Sequence, residues 1–600
     1  MKTIPNHTFH IPVMGIGYTI DTPMKVAQYG ISSVISLVDD ILIERMREFY
    51  SIKLGLPFQG ISDKIDDFRA KRITAYLNLM DSIVKEKFEE VKNSLHKKGE
   101  ELEKYFAMLP DSKEIKEKFE HFKNTHGLKD LQSWLNKNLS TGSIDVNIMT
   151  KLDKENYKDN TLLPSEYNDA HAALRGFANS NLESGIVLSA GMNPRLYSYF
   201  EKFDDFFPNE SGEMKKKIIL KVSDYRSALI QGKFLAKKGL WISEFRIESG
   251  LNCGGHAFAT HGFLMGPILA EFRDNRQLLK DTLFEVYSSS LKEKNKVVPT
   301  KAPNVKLTAQ GGVGTSEEHN FLIQEFNVDS VGWGTPFMLV PEVCNTDEAT
   351  LKLLSEAKED DLYISNISPL LVPFNSVKNN TMDIEKQRLI DLGKPGAPCV
   401  KKYASLSKEY TDRAICLASR EYQRKKIKDL ESKNLGKAEF KAEFDTITEK
   451  SCICNGLGTS ILLIHKMDTK YEGNAVAVCP GPNIAYFSEI VSLRKMVDHI
   501  YGRTNIIKRN DRPNMFIKEI GLYLDYLSSK IEESAKPITA KQIEYFNEFT
   551  RNMKEGIAYY RKMFSSKMFA GKDIHSELIK AENKIENLVM RYEEPQTVQA

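Results

Sequence analysis

Hydrophobic positions along this chain change period several times, and the changes mark its elements. Residues 8 to 40 hold "HIPVMGIGYT", a helix-like "DTPMKVAQYG" and then "ISSVISLV", an apolar β-branched run suited to a strand buried on both faces. That order predicts a βαβ opening. From about 41 to 140 the period is helical, as in "FRAKRITAYLNLMDSIVKEKFEEVKNSLHKKGEELEKYF", where apolar residues recur three and four apart among charges. This predicts a solvated helical insertion rather than an interaction arm. Strand-like runs return as "GIVLSAG" (185 to 191), "KIILKVS" (217 to 223), "LWISEFRI" (240 to 247), "NVKLTAQ" (304 to 310), "DSVGWG" (329 to 334) and "DLYISN" (361 to 366). Most lead into a helical stretch such as "DYRSALIQGKFLAKKG" or "TSEEHNFLIQEF". Strands alternating with helices predict a parallel sheet, and about eight units favour an α/β fold of the closed (β/α)8 TIM barrel kind over a doubly wound sheet. The barrel is expected over 1–40 and 166–380, with a helical insertion at 41–165, a cysteine-containing extension at 381–505 and a mostly helical C-terminal segment at 506–600.

Composition narrows the function. A chain of 600 residues is too long for one ordinary domain, so a catalytic-size unit with additions is expected. Lys+Arg 84 against Asp+Glu 81 is nearly balanced, which argues against nucleic acid or an anionic membrane as a partner. The start, "MKTIPNHTFHIPVMG", lacks the apolar core of a signal peptide, and no run reaches about 18 apolar residues. The expectation is a soluble, cytoplasmic protein. The seven cysteines are clustered late, which suits reduced thiols or a metal site better than a disulfide framework.

In such a barrel the functional residues lie at the C-terminal ends of the strands. Two adjacent strand ends are rich in glycine. In "AQGGVGTSEE", Gly311, Gly312 and Gly314 can bring backbone N–H groups close to an anion, and Thr315 or Ser316 can cap the following helix. In "VGWGTPF", Gly332, Gly334 and Thr335 repeat the arrangement one strand further round. The pair predicts a phosphate site. A third strand end, "RIESGLNCGGHAFATHG", carries Cys253, Gly254, Gly255, His256 and His261.

These residues resemble a family. "AQGGVGTSEE…FNVDSVGWGTPFMLVPE" is similar to the FMN-phosphate segment of nitronate monooxygenases (2-nitropropane dioxygenase-like proteins) and of related flavin-dependent enoyl-ACP reductases. "ESGLNCGGHAFAT" resembles that family's Gly-Gly-His segment, "PVMGIGYTIDTPMKVAQYG" its opening strand and turn, and "AVAVCPGPNIAYFSEIVSLRKMVDHI" the C-terminal segment of its longer, cysteine-bearing members. The resemblance runs with interruptions from about 10 to 505. It implies an FMN oxidoreductase, oxidising a nitronate-like substrate with oxygen or reducing an activated double bond with NAD(P)H, on a small molecule or an acyl thioester. It also implies that Met14, Gly15, Gly254 and Gly255 lie against the flavin; Lys221, ending "KIILKVS", is placed either to set its cation by the flavin N1 and O2 atoms or to reach solvent from the strand end. In the same implied roles His256 transfers a proton, with a structural histidine as the bland alternative, and Cys253, where the family has a small residue, is its rival. "ISPLLVPFNSVKN" lacks the glycine and arginine of the family's corresponding stretch. The alternative from another class is a barrel, with or without flavin, serving as a binding or scaffold subunit.

Cys399, Cys416, Cys452, Cys454 and Cys479 fall within about eighty residues. Four of them, Cys399, Cys416, Cys452 and Cys454, are candidate ligands of an iron–sulfur cluster, with zinc and plain core packing as alternatives. The amphipathic C-terminal helices are expected to pack on the barrel or on a second subunit of a homodimer.

Overall fold

Eight short strands rich in Val, Ile and Leu run parallel and close on themselves in a computed structural model that describes residues 7–94, 100–111, 114–189, 191–252, 261–534, 538–565 and 574–593. They are β1 (Phe9–Ile11), β2 (Ser32–Ser36), β3 (Ile144–Ile148), β4 (Gly185–Leu188), β5 (Lys217–Val222), β6 (Ile242–Glu248), β7 (Lys306–Gln310) and β8 (Ser330–Gly332). Neighbours in the barrel are neighbours in sequence, and β1 closes the ring by pairing with both β2 (His10 opposite Ser32) and β8 (His10 opposite Gly332). The fold is therefore the expected (β/α)8 barrel.

Two strands differ from expectation. Ile144–Ile148 lies inside the stretch read as insertion, yet it pairs with β2 and β4 and completes the barrel. Its sequence "IDVNI" alternates polar and apolar residues, so the continuous apolar run that marks the other strands is broken by Asp145 and Asn147. Conversely, "DLYISN" does not enter the barrel. Its β9 (Leu362–Ser365) pairs antiparallel with β10 (Phe374–Val377) as a separate hairpin.

The barrel interior is polar at mid-height. Asp145 on β3 and Arg246 on β6 have two strands between them, so only the barrel interior lets the guanidinium come within 3.5 Å of the Asp145 carboxylate. Arg246 Nε also donates to Glu244 at 2.6 Å. Phe245, the intervening residue, turns outward against Phe272 of the surrounding helix Met265–Asp274. Alternation along β6 thus sends charges inward and apolar groups to the helical layer.

Between β2 and β3 the chain forms helices Asp40–Lys53 and Phe68–Asn93, which cover the barrel, followed by three shorter ones. Phe68–Asn93 buries Ile73, Tyr76, Leu77, Met80, Ile83 and Val84, the three-and-four spacing of one helix face. It crosses helix Asp169–Ala178 at Gly176, where a Cβ would stand 2.8 Å from that of Ile73. The outlying helices Glu114–Thr125 and Leu128–Asn138 bury only Phe119, and Leu131 and Leu135. After the hairpin the chain is mostly helical, and Met515–Glu533, Ala540–Ser565 and Ile574–Glu593 form its last layer. Among the described residues, no helix is long and apolar enough to cross a membrane.

Candidate functional site

Strand ends and post-barrel segments enclose a cavity at the C-terminal mouth of the barrel. Its floor is made by residues just after or at the ends of the first five strands: Val13 and Gly15, Ser36, Asn147 and Met149, Ser189, and Lys221. Its roof comes from beyond the barrel: Pro369, Leu370 and Phe374 of the hairpin region, Ala404, the helix residues Ile453, Cys454 and Leu457, and Cys479. The lining is mainly apolar; its hydroxyl, amide and ammonium groups are Ser36, Asn147, Ser189 and Lys221 at strand ends and Lys151 in the turn after β3. Such a lining suits a flat apolar ligand with polar edges.

The polar edge is ordered by a buried network. Lys221 Nζ lies 3.0 Å from Glu248 Oε1, which also accepts from Asn252 Nδ2 at 2.6 Å and from Gln310 Nε2 at 2.7 Å. Gln310 Oε1 lies 3.2 Å from His10 Nε2. Burial, with Arg246 nearby, lowers the His10 pKa to about 3, so the ring is neutral at pH 7 and its Nε2–H donates to Gln310. Glu248 Oε2 is buried without a hydrogen-bond partner among the described residues, so the network can accept one more donor.

Several residues singled out in the sequence meet at this mouth. Lys221 and Gly15 line the cavity, and Met14 is buried beside them. Gly15 has φ +139°, and a Cβ there would lie 2.8 Å from the Tyr18 ring, so glycine is required by both conformation and space. Cys253, Gly254, Gly255 and His256 lie outside the described residues, between Asn252 and His261.

The glycine loops after β7 and β8 are adjacent as expected, but they are packed by the chain itself. Gly311 and Gly312 adopt φ +112° and +88°, and Cβ atoms there would meet Asn252 N at 3.0 Å and Leu251 Cδ1 at 2.7 Å. The N–H of Gly314 donates at 2.9 Å to the Glu318 carboxylate, the chain's own anion in the first turn of helix Ser316–Phe326. Arg512 donates to both Glu318 oxygens at 2.8 Å and to Gly312 O at 3.0 Å. Asn483 donates to Gly312 O and Val313 O, and His499 Nε2 lies 2.9 Å from Gly314 O. Over Gly332 sits the Gln310 side chain. Gly334 precedes the buried turn Thr335–Leu339. The Gly314 N–H is thus taken by a carboxylate of the chain itself, and a side chain at position 332 would meet Gln310.

Ser36, Asn147, Ser189, Glu248, Asn252 and Gln310 were missed as site residues. One signal was legible: "ISEFRIE" carries Glu244, Arg246 and Glu248 at period two, which on a barrel strand places all three inside.

Of the late thiols, Cys454 and Cys479 line the same cavity, and others pack behind Cys454. Cys416 packs with Leu152, Ala404 and Ala418, and Cys399, Cys454, Met149 and Leu370 pack against them. A hydrogen bond with Cys416 draws the Cys399 thiol down to about 7, while its partner is pushed up. Burial raises Cys452 to about 11 and Cys454 well above its usual range. Among the described residues, no three His, Cys, Asp or Glu side chains are arranged to hold a single metal ion.

Fold and site together define a (β/α)8 barrel whose mouth is roofed by its own C-terminal extension. No protein-family model matches the sequence, and no curated protein matches it. Among solved structures, the chain is similar to the enoyl reductase domain of MlnA from the macrolactin biosynthesis cluster of Bacillus amyloliquefaciens, with 14% identity over 68% of this chain and 89% of that one, at TM-score 0.32. It is also similar to a single-substitution mutant of FabK from Thermotoga maritima, with 11% identity over 66% of this chain and 83% of that one, at TM-score 0.29. Likeness this remote says nothing about chemistry.

Proposed function

We propose that the chain is a flavin-dependent oxidoreductase that holds the flavin ring in the mouth cavity. The observation that carries this reading is the cavity itself: a mainly apolar slot at the catalytic end of the barrel, with a few polar side chains on its floor. Gly15 lets the backbone approach a ring face, and Ser36, Asn147 and Ser189 present hydrogen-bonding groups at the strand ends. Lys221, which lines the cavity, places a cation where the reduced ring gathers negative charge, and Glu248 behind it fixes its position. When bound, a flavin supplies transfer of an electron pair between donor and substrate. The chain's own groups orient the ring, exclude water through the roof and hold the protons of the Glu248 network. FMN is favoured over a dinucleotide because no Gly-rich fingerprint follows β1. His256, or Cys253 in its place, enters as the proton donor on sequence grounds alone. NAD(P)H is the proposed reductant, and a nitronate or an activated double bond the proposed substrate.

One observation favours the second reading, a barrel serving as a binding or scaffold subunit: Arg512 and Glu318 fill the place expected for the flavin phosphate. Titrating the purified full chain with FMN, and following quenching of flavin fluorescence, separates the two. The oxidoreductase reading expects stoichiometric binding, weakened at least tenfold in Lys221→Met, and bleaching by NAD(P)H followed by reoxidation with oxygen, a nitronate or an enoyl thioester. Failure to bind FMN at all would leave the scaffold reading.

A further inference from the structure

Two segments beyond the barrel lie side by side, and each carries one cysteine. Ala397 N donates to Ala418 O and Arg420 N to Ala397 O, while further along Ser407 and Ile415 exchange two backbone hydrogen bonds. Gly396 marks how near the backbones come, since a Cβ there would stand 2.7 Å from Arg420 N. Cys399 and Cys416 lie between these two sets of ties, so the fold holds their side chains in one place. They meet in the small cluster with Leu152, Ala404 and Ala418, and the two thiols are hydrogen-bonded to each other. Both are free thiols, Cys399 partly exposed and Cys416 buried. Cys399 has φ +54°, in the left-handed region that a residue with a Cβ rarely adopts, and such strain gathers at working sites.

We propose that Cys399 and Cys416 form a redox-active dithiol, oxidised to a disulfide by a small-molecule disulfide of the glutathione class. Cys399 is the attacking thiol. Its sulfur accepts hydrogen bonds from the Cys416 thiol, the Ser405 hydroxyl and the Lys402 N–H, and the Lys402 charge adds to them, so the thiolate is favoured in spite of burial. Cys416, held protonated by the same hydrogen bond and by burial, is the resolving thiol. In the exchange the Cys399 thiolate attacks one sulfur of the small disulfide, and the departing thiolate takes a proton from water. Cys416 then attacks Cys399 Sγ, and its proton passes to the second departing thiolate. Two protein thiols are oxidised by two electrons, and one small disulfide becomes two thiols. Cys454 packs in the same cluster, but its thiol is raised well above its usual range and stays a poor nucleophile.

Position gives the pair a use. Leu152 and Ala404 pack in the cluster with Cys416 and also line the mouth cavity, so the dithiol stands behind the cavity wall and its redox state is set beside whatever binds there. The exchange needs no flavin, so it stands or falls separately from the proposed oxidoreductase.

The test uses the full chain, fully reduced and then incubated with oxidised glutathione, followed by alkylation and tryptic peptide mapping. Expected is a cross-link from Cys399 to Cys416 in most of the chain, with no glutathione left on either residue and full reversal by dithiothreitol. Cys416→Ser should instead stop with glutathione held on Cys399, and Cys399→Ser should leave Cys416 a free thiol. Cys344→Ser, in the barrel core, should form the link as the parent does. Chain unfolded in urea should scatter its links among the seven cysteines. Should a variant misfold, mapping of the native parent chain decides. The assignment would be overturned by native chain in which both thiols stay reduced, by a link from Cys399 to Cys454 in place of Cys416, or by a Cys399–Cys416 link no more frequent in folded than in unfolded chain.

Discussion

Arg512 carries more of the site's architecture than any residue singled out in the sequence. Its guanidinium and the Glu318 carboxylate are both buried, and together they occupy the loops that the glycine spacing marks as an anion nest. Removing one member of a buried ion pair leaves the other charge uncompensated, at a cost of about 3–5 kcal/mol. Arg512→Met should therefore lower stability by that order in denaturant titration. Adding Glu318→Gln to the same chain should recover part of the loss, because the stranded charge is gone; a double variant no more stable than the single one would contradict this account. The nest was legible in Gly311, Gly312 and Gly314, but its occupant was not. Arg512 lies some two hundred residues further along the chain, and no local pattern ties the two together.

At the scale of elements, the C-terminal helices hold both ends of the segment that follows β6. Tyr523 Oη accepts from Gly250 N at 3.1 Å, Glu519 Oε2 accepts from Met265 N at 3.0 Å, Tyr560 Oη accepts from Gly266 N at 2.9 Å, and Asn552 Nδ2 donates to His261 O at 2.7 Å. Glu519 is fully buried, and burial pushes its pKa up to about 7 from 4.5. The folded chain thus binds this proton more tightly than the unfolded chain. The resulting stability is fully present below pH 4.5, declines as pH rises towards 7, and is gone above it, amounting to at most about 3 kcal/mol. Glu519→Gln keeps an acceptor for the Met265 N–H and removes the titration. It should flatten the stability profile between pH 4.5 and 7, measured as the urea midpoint; an unchanged slope would assign the pH dependence elsewhere. Helical period identified these elements, while the residues they clasp are set by packing alone.

Across the whole molecule, the additions to the barrel differ in weight. Helix Ala540–Ser565 buries Phe546, Phe549, Met553, Ile557, Tyr560, Met563 and Phe564 against the barrel's loops and neighbouring helices. Large apolar side chains contribute about 1.5–3 kcal/mol each when fully buried, so a chain ending at residue 534 should aggregate or unfold. Replacing residues 114–138 with a short Gly/Ser linker removes the buried Phe119, Leu131 and Leu135 but no barrel strand. That variant should stay folded with a modest fall in Tm. Thermal unfolding and size-exclusion chromatography of the two proteins would check the contrast, and equal tolerance of both changes would refute it.

The local pattern of this chain was enough for its architecture. Seven of the eight barrel strands, their alternation with helices and the helical extension follow from periods of two and 3.6 and from β-branched runs, because secondary structure answers to near neighbours in sequence. The packing of Cys399, Cys416 and Cys454 in one small cluster is hinted at by their density in the sequence. Only the tertiary structure decided that β3 is "IDVNI" rather than "DLYISN", since a strand with Asp145 facing a barrel interior is stabilised by Arg246 from across the ring. Likewise only the closed fold revealed the cavity roof, with Cys454 and Cys479 in it, and the Arg512–Glu318 closure. Each joins residues tens to hundreds of positions apart, and such pairings are selected by shape and charge complementarity once the chain is compact, not by anything the separate segments carry.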